Sequence, residues 1–523
     1  MSKLFEKRLN RLESTGALQF LKGGLKGLEK ESLRVTAGGT ISQTRHPENW
    51  GAPLTHPHIT TDYSEALPEL ITPAFPQTTE TIRFLDDIHR FIYTELPEEE
   101  MLWAASMPCA VSDDNIIPVA QYGSSNSGQV KHIYRLGLDY RYGRRMQAIA
   151  GVHFNYSLPE IFWPAYMDAE QQSEGLQCFI NRCYFDLIRN FKRLGWIVPF
   201  LFGNSPAVCK TFLGGRTTRY QEMLPGTYYM PYATSLRMSD IGYKNKNQSD
   251  LAISYDSLDA YTESLESALR TPYPEYEAIG LKDRGKRVQL STSILQIENE
   301  YYSFIRPKRN GHPGERPTSA LRNRGIEYVE IRALDVNCFQ QNGVDLSQLL
   351  FLEAFLIFCL LEDSPTLTKD ELQEIEYNEL TVALRGRTPK LSLQRCGEKS
   401  PLESWSLEIC EQMRKICESL DSCEKDSPYV KSLDEQIEMI ENKDALPSAR
   451  ILRTLSEKKI QYHTYVMELS EKYAANFRKT PPAEHTRDKF ARLATTSHEE
   501  QLRLETEDSV GIDEYINNYL APR

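Results

Sequence analysis

Apolar residues recur along this chain with two periods, and the change of period divides it. Residues 1–21 carry a helical stripe of Leu4, Phe5, Leu9 and Leu12. The next stretch, GLEKESLRV at 27–35, reads as a β-strand ending in the turn signal Ala37-Gly38-Gly39-Thr40. Side chains two apart in a strand share a face, so Glu29, Glu31 and Leu33 would project together, the carboxylates about 7 Å apart along the chain. In THPHITTDYSEALPELITP, Asp62, Glu65 and Glu69 have helical spacing, but Pro68 breaks a helix. A turn through TDYSEA and a short strand PELIT are predicted instead. Amphipathic helices are predicted at 77–97 and 171–194. Between them, QAIAGVHFNYSLP (147–159) alternates with period two, placing Gln147, Ile149, His153 and Asn155 opposite Ala148, Ala150, Val152, Phe154 and Tyr156. RVQLSTSILQIENEYY (287–302) and GIEYVEIRALDV (325–336) repeat the pattern, and in the latter Tyr328, Glu330 and Arg332 share a face. From 343 the texture turns helical. The apolar run LLFLEAFLIFCLL (349–361) is too short to span a membrane and reads as a buried helix. The segment from Thr480 onward reads as one exposed helix plus a tail. The expected organisation is a β-rich core at 1–342, with helical insertions, and a mainly helical region at 343–523 packed on it.

Composition narrows the class. A formal net charge of -12 over 523 residues argues against a nucleic-acid partner. The basic run Arg306-Pro307-Lys308-Arg309 is too short to reverse this, although it could meet phosphate. The ten cysteines include no Cys-x-x-Cys pair, so reduced thiols and a cytoplasmic location are expected. The charged start MSKLFEKRLNRLES offers no signal-peptide core. No P-loop, H-E-x-x-H, G-x-S-x-G or dinucleotide glycine fingerprint occurs.

What remains is a dispersed acidic set on strands or at their ends: Glu29, Glu31, Asp62, Glu65, Glu69, Glu298, Glu300, Glu327 and Glu330, with His153 on a polar strand face. One reading is solvated strand faces, with Lys30 and Arg34 as counter-charges. The other is convergence on hard cations such as Mg²⁺ that hold nucleotide phosphates. Arg332 would then meet a phosphoryl oxygen, or else close an internal salt bridge.

The segments GLEKESLRV, ITTDYSEALPELITP, AQYGSSNSG, YRLGLDYRYG, MQAIAGVHFNYSLP, PYATSLRMSDIGY, LQIENEYYSFIRPKR and GIEYVEIRALDVN together resemble the proteobacterial-type glutamate–cysteine ligases, from about residue 20 to 340 and more weakly through SARILR (448–453). The resemblance implies an α+β, glutamine-synthetase-like fold: an antiparallel sheet funnel with flanking helices. It implies ATP-dependent joining of the glutamate γ-carboxylate to cysteine through γ-glutamyl phosphate, the first step of glutathione synthesis. Glu29, Glu31, Asp62, Glu69, His153 and Glu330 would ligate three Mg²⁺ ions, with Mn²⁺ as an alternative, and Arg332 would stabilise the transferring phosphoryl group. Tyr63, Tyr134, Leu138 and Tyr243 would wall the cysteine side chain, Arg237 and Tyr302 would bind its carboxylate, and Gln147 and Asn155 would lie near glutamate. Tyr63 stands where relatives can carry phenylalanine. The implied partners are small molecules only, with neither nucleic acid nor membrane, and the protein is expected as a monomer. The rivals are a ligase of the same fold with another amine acceptor, and a non-catalytic nucleotide or metal sensor.

Overall fold

The structure, a computed structural model, describes residues 3–215, 218–242, 251–312, 314–422 and 425–521. At its centre lies an antiparallel six-stranded sheet, formed by β1 (Leu25–Glu31), β2 (Ile59–Thr61), β3 (Pro68–Ile71), β4 (Gly151–Ser157), β5 (Ile305–Lys308) and β6 (Tyr328–Asp335), in the order β5-β6-β4-β1-β3-β2. Alternation gives the sheet two unlike faces. Leu28, Leu70, Val152, Phe154, Val329 and Ile331 point to one and are fully buried. The acids point to the other. The apolar face is covered by helices, among them α1 (Lys3–Ser14), α2 (Thr78–Glu95), α4 (Leu176–Leu194) and α5 (Leu346–Leu361), of which α2 lies against β1 and α4 against β5; α3 (Asn126–Tyr142) stands on the side of the acids. α5 is the predicted buried helix. Its Glu353 is neutralised by Lys26 of β1 at 3.0 Å and accepts a hydrogen bond from Tyr429.

The predicted strand at 27–35 is broken. β1 stops at Glu31, and Arg34–Thr36 pairs instead with Glu100–Leu102 in a separate ribbon. Leu33 therefore leaves the face of Glu29 and Glu31 and enters the core. No strand forms across the predicted 287–302 beyond Lys286–Arg287 at its start; the run is irregular, with a 3₁₀ turn at Glu298–Glu300. The strand lies just downstream, as β5, whose Pro307 is tolerated because β5 is a sheet edge. A ribbon of Ser392–Arg395 and Glu398–Pro401 interrupts the helical C-terminal stretch. The chain ends in two helices, α6 (Glu484–Glu507) and α7 (Ile512–Leu520), where one helix and a tail were expected. Cys109 and Cys209 form a disulfide, contrary to the expectation of reduced thiols throughout; their separation of 100 residues follows no spacing rule. No described helix is long and apolar enough to cross a membrane.

Candidate functional site

The strand register assembles the polar face. Glu29 stands opposite His153, Glu31 opposite Glu69, and Asn155 opposite Glu330. Asp62 immediately follows β2, and its carbonyl is held by the Tyr122 hydroxyl at 2.9 Å and by the Arg135 guanidinium. His153 is the hub: Nδ1 lies 3.1 Å from Glu29 Oε2 and 3.4 Å from Glu330 Oε1, and Nε2 lies 3.8 Å from Glu31 Oε1. Asn155 donates to Glu29 Oε1 at 2.8 Å, and the Gly151 N–H donates to Glu31 Oε2 at 2.6 Å. Arg332 sits where the pairing of β6 with β4 shifts register; such an irregularity re-aims a side chain. Its Nη1 donates to Glu330 Oε1 at 2.9 Å. Lys308 approaches the other Glu330 oxygen at 3.4 Å.

Charge on this face is unevenly balanced. Burial pushes Glu330 up, but Lys308, Arg332 and His153 outweigh it and hold the carboxyl well below its usual range. Across the sheet the balance reverses. Burial, and then Asp62, push Glu31 up to about 8 against the pull of Arg237 and Arg332. Burial together with Glu29, Asp62 and Glu31 raises Glu69 well above an ordinary carboxylate. Among the described residues, no lysine or arginine forms an ion pair with Glu31, Asp62 or Glu69; Lys308 and Arg332 pair with Glu330. Ligand atoms of Glu29, Glu69 and His153 lie within 4.8 Å of one another, and among the described residues the buried Asn155 Oδ1 finds no hydrogen-bond partner, while Glu330 Oε2 has only the ion-pair contact with Lys308. Oxygen donors, one imidazole and missing positive charge fit hard divalent cations.

Beside the acids opens a cavity of ≈ 100 Å³, lined by Glu31, Asp62, Tyr63, Tyr134, Leu138, Gln147, Tyr302 and Arg332. Gln147 reaches it from a 3₁₀ turn, not from the strand the alternation suggested. Arg237 is not a wall of the cavity; it lies beneath, donating from Nη2 to the Arg332 carbonyl at 3.0 Å, with Nη1 3.7 Å from Asp335. Asn155 lies with the acids, on Glu29. Tyr243 falls outside the described residues.

Four predicted acids do not join the face. Glu65 accepts hydrogen bonds from the His46 and Gln121 amides, Glu298 pairs with Arg316, and Glu327 meets Arg309 near the surface. Glu300 lines the cavity but is neutralised by Arg141 at 3.1 Å. Sequence reasoning missed Arg135, Met146, Asn299 and Arg306 as cavity walls. Arg306 had a signal in the basic run, since β5 turns Arg306 and Lys308 to the acidic face. A second cavity of ≈ 250 Å³ lies across β5, lined by Tyr261, Lys308, Arg309, Asn310 and Tyr328, and shares Arg306 and Asn299 with the first.

Comparison with known proteins agrees with this geometry. Residues 9–382 match the family model described as glutamate-cysteine ligase. The glutamate–cysteine ligase of Alcanivorax borkumensis is 44% identical over 522 residues, 99% of each chain. That of Azotobacter vinelandii is 44% identical over 524 residues, covering 100% of this chain and 99% of its own. Among solved structures, the Francisella tularensis glutamate–cysteine ligase in complex with AMP superposes with a TM-score of 0.90 at 35% identity, covering 95% of this chain and 98% of that one. A bifunctional glutathione synthetase from Pasteurella multocida gives 0.71 at 25% identity, covering 90% of this chain and 55% of the other.

Proposed function

Because the chain belongs to the glutamate–cysteine ligase family, we propose that its acidic sheet face and the cavity beside it join L-glutamate to L-cysteine at the expense of ATP. The products are γ-glutamylcysteine, ADP and phosphate, the first step of glutathione synthesis. The observation that carries the reading is the pairing of under-compensated acids with a small tyrosine-walled cavity, bridged by Arg332. The sheet is read as the wall of a glutamine-synthetase-like funnel, and the protein as a cytoplasmic monomer.

A carboxylate is a poor acyl donor because oxide would have to leave. Attack of the glutamate γ-carboxylate on the γ-phosphorus of ATP expels ADP and leaves an acyl phosphate. The cysteine amine, after losing a proton, attacks the acyl carbon and expels phosphate. Both steps crowd anionic oxygens, so the task is positioning and charge compensation. Glu29, Glu31, Asp62, Glu69, His153 and Glu330 would hold the divalent cations, three Mg²⁺ or Mn²⁺, which neutralise phosphate and carboxylate oxygens when bound. Arg332, anchored on Glu330 and by Arg237 beneath it, presents a guanidinium edge to the transferring phosphoryl group. The cavity across β5 accommodates the nucleotide, with Lys308 and Arg309 for phosphate and the rings of Tyr328 and Tyr261 for the base; the AMP bound to the Francisella relative supports nucleotide binding in this fold. Tyr63, Tyr134 and Leu138 form the side-chain pocket for cysteine, with Tyr302 towards its carboxylate and Gln147 towards glutamate.

The test is ADP release from Mg-ATP with glutamate alone, cysteine alone and both, with mass analysis of the product. Release that requires both amino acids and yields a γ-linked dipeptide is expected. ADP appearing only with another amine would remove the cysteine pocket, and nucleotide binding without ADP release would favour a sensor.

A further inference from the structure

Helix α3 forms one wall of the reaction cavity, with Tyr134, Arg135 and Leu138 facing inward. Arg135 also holds the backbone of Asp62. The position of α3 therefore sets both the width of the cavity and the placement of one acid. What fixes α3 from outside is the end of the chain, more than 360 residues away in sequence.

Two kinds of contact make this junction. At the N-terminus of α3, Asp508 accepts from the Asn126 amide at 2.5 Å, the Val510 carbonyl accepts from the Asn126 side chain at 2.9 Å, and Glu505 accepts from the Ser124 amide at 2.7 Å. Carboxylates at a helix N-terminus compensate both its unpaired N–H groups and its dipole. The approach is close: at Gly123, with φ +79°, an added Cβ would lie 2.3 Å from Glu505 Oε1. One turn further on, the outward side of α3 packs into a small cluster of Val130, Ile133, Leu290 and the fully buried Ile516 of α7, separate from the main core. Tyr134 packs against this cluster and lines the reaction cavity as well. A side chain shared between the two transmits a change in one to the other, because packed interiors leave little slack.

We propose that the C-terminal segment 505–516 is the outer brace of the acceptor pocket, with Asp508 and Ile516 as positioning residues that set which amine acceptors fit. The inference rests on Tyr134 and Leu138 being acceptor-pocket walls. Ile516 touches no substrate; it completes the cluster against which the ring of Tyr134 packs. Shortening it leaves space into which the ring retreats, and a cavity of ≈ 100 Å³ then admits a longer side chain. Asp508 acts at the other end, holding the first turn of α3 in place.

The experiment is steady-state kinetics of the full chain carrying Ile516→Ala, Ile516→Val, Asp508→Asn or Tyr134→Ala, with cysteine, 2-aminobutyrate and norvaline as acceptors and ADP release as readout. For Ile516→Ala, the KM for cysteine should rise about tenfold and the preference for 2-aminobutyrate over norvaline fall about tenfold, a change the size of one methylene's discrimination. The KM values for glutamate and ATP should stay within about twofold, and Ile516→Val should recover most of the loss. Asp508→Asn, at a part-buried polar contact, should shift the acceptor KM in the same direction even if Ile516→Ala does not fold. Equal changes in all three KM values, or a lowered melting temperature with unchanged acceptor selectivity in both variants, would overturn the brace. If Tyr134→Ala itself leaves the acceptor KM unchanged, the wall assignment falls. A raised KM in Tyr134→Ala with none in Ile516→Ala and Asp508→Asn would remove the brace alone.

Discussion

Adding Mg²⁺ to the metal-free protein near pH 7 should expel protons from the sheet face, and the structure sets roughly how many. Burial and Asp62 push Glu31 up to about 8, so about nine-tenths of the molecules hold a proton there at about pH 7. Burial and three neighbouring acids raise Glu69 well above an ordinary carboxylate in the same direction. Ligating carboxylates must be ionised, so cation binding displaces these protons. Wild type should release about one proton more than Glu31→Gln. In energy, ionising Glu31 without a cation costs up to about 5 kcal/mol relative to a solvated carboxylate, an upper figure because the adjoining acids share the strain. The sign follows from linkage. The folded-state pKa lies above the unfolded value of 4.5, so the contribution of this group is fully present below about pH 4.5 and is lost as pH rises through about 8. Saturating Mg²⁺ should flatten that slope. Calorimetric titration in two buffers of different ionisation enthalpy counts the protons, and unfolding at about pH 6 and about pH 8.5 reads the slope. Mg²⁺ binding without proton release, or release unchanged in Glu31→Gln, would refute the argument.

Arg332→Ala should fold yet lose turnover by about 100- to 1,000-fold, the usual loss for one preorganised electrostatic contact; a purified variant at wild-type rate would sink the assignment. 2-Aminobutyrate should be accepted in place of cysteine, because each methylene is worth only about 1–3 kcal/mol in such a pocket, and its complete rejection at saturation would count against Tyr63, Tyr134 and Leu138 as walls. Glu353→Ala should strand the buried Lys26 ammonium, 3.0 Å away in the native fold, and cost about 3–5 kcal/mol in denaturant unfolding while the unfolding slope stays the same; a loss below about 1 kcal/mol would show that water reaches the pair.

Local alternation revealed which residues share a face but not which strands are neighbours. Glu29 and Glu31, His153 and Asn155, and Glu330 and Arg332 each emerged as pairs from period two, yet their meeting depends on register across β3, β1, β4 and β6. That register is set by pairing between strands distant in sequence, so only the family resemblance joined the pairs. The misreading at 287–302 has a physical cause. Val288, Leu290 and Leu295 are buried, but the chain around them finds side-chain partners: Gln289 donates to the Tyr276 and Gly280 carbonyls, and Glu300 accepts from the Gln296 amide. Alternation without an available sheet edge does not make a strand. β5 was hidden for the opposite reason, since Pro307 in its middle looks prohibitive until the strand is known to lie at an edge. α7 was hidden by charge, because only Ile516 in it is buried.

The most direct test of the central claim is the anomalous scattering of Mn²⁺ in crystals grown with a non-hydrolysable ATP analogue and glutamate. Mn²⁺ peaks are expected on the sheet face, one bounded by Glu29, Glu69 and His153 and others at Glu31 with Asp62 and at Glu330, with Arg332 turned to the γ-phosphate. Peaks confined to other surfaces, or nucleotide phosphates bound away from Arg332 and Lys308, would contradict it.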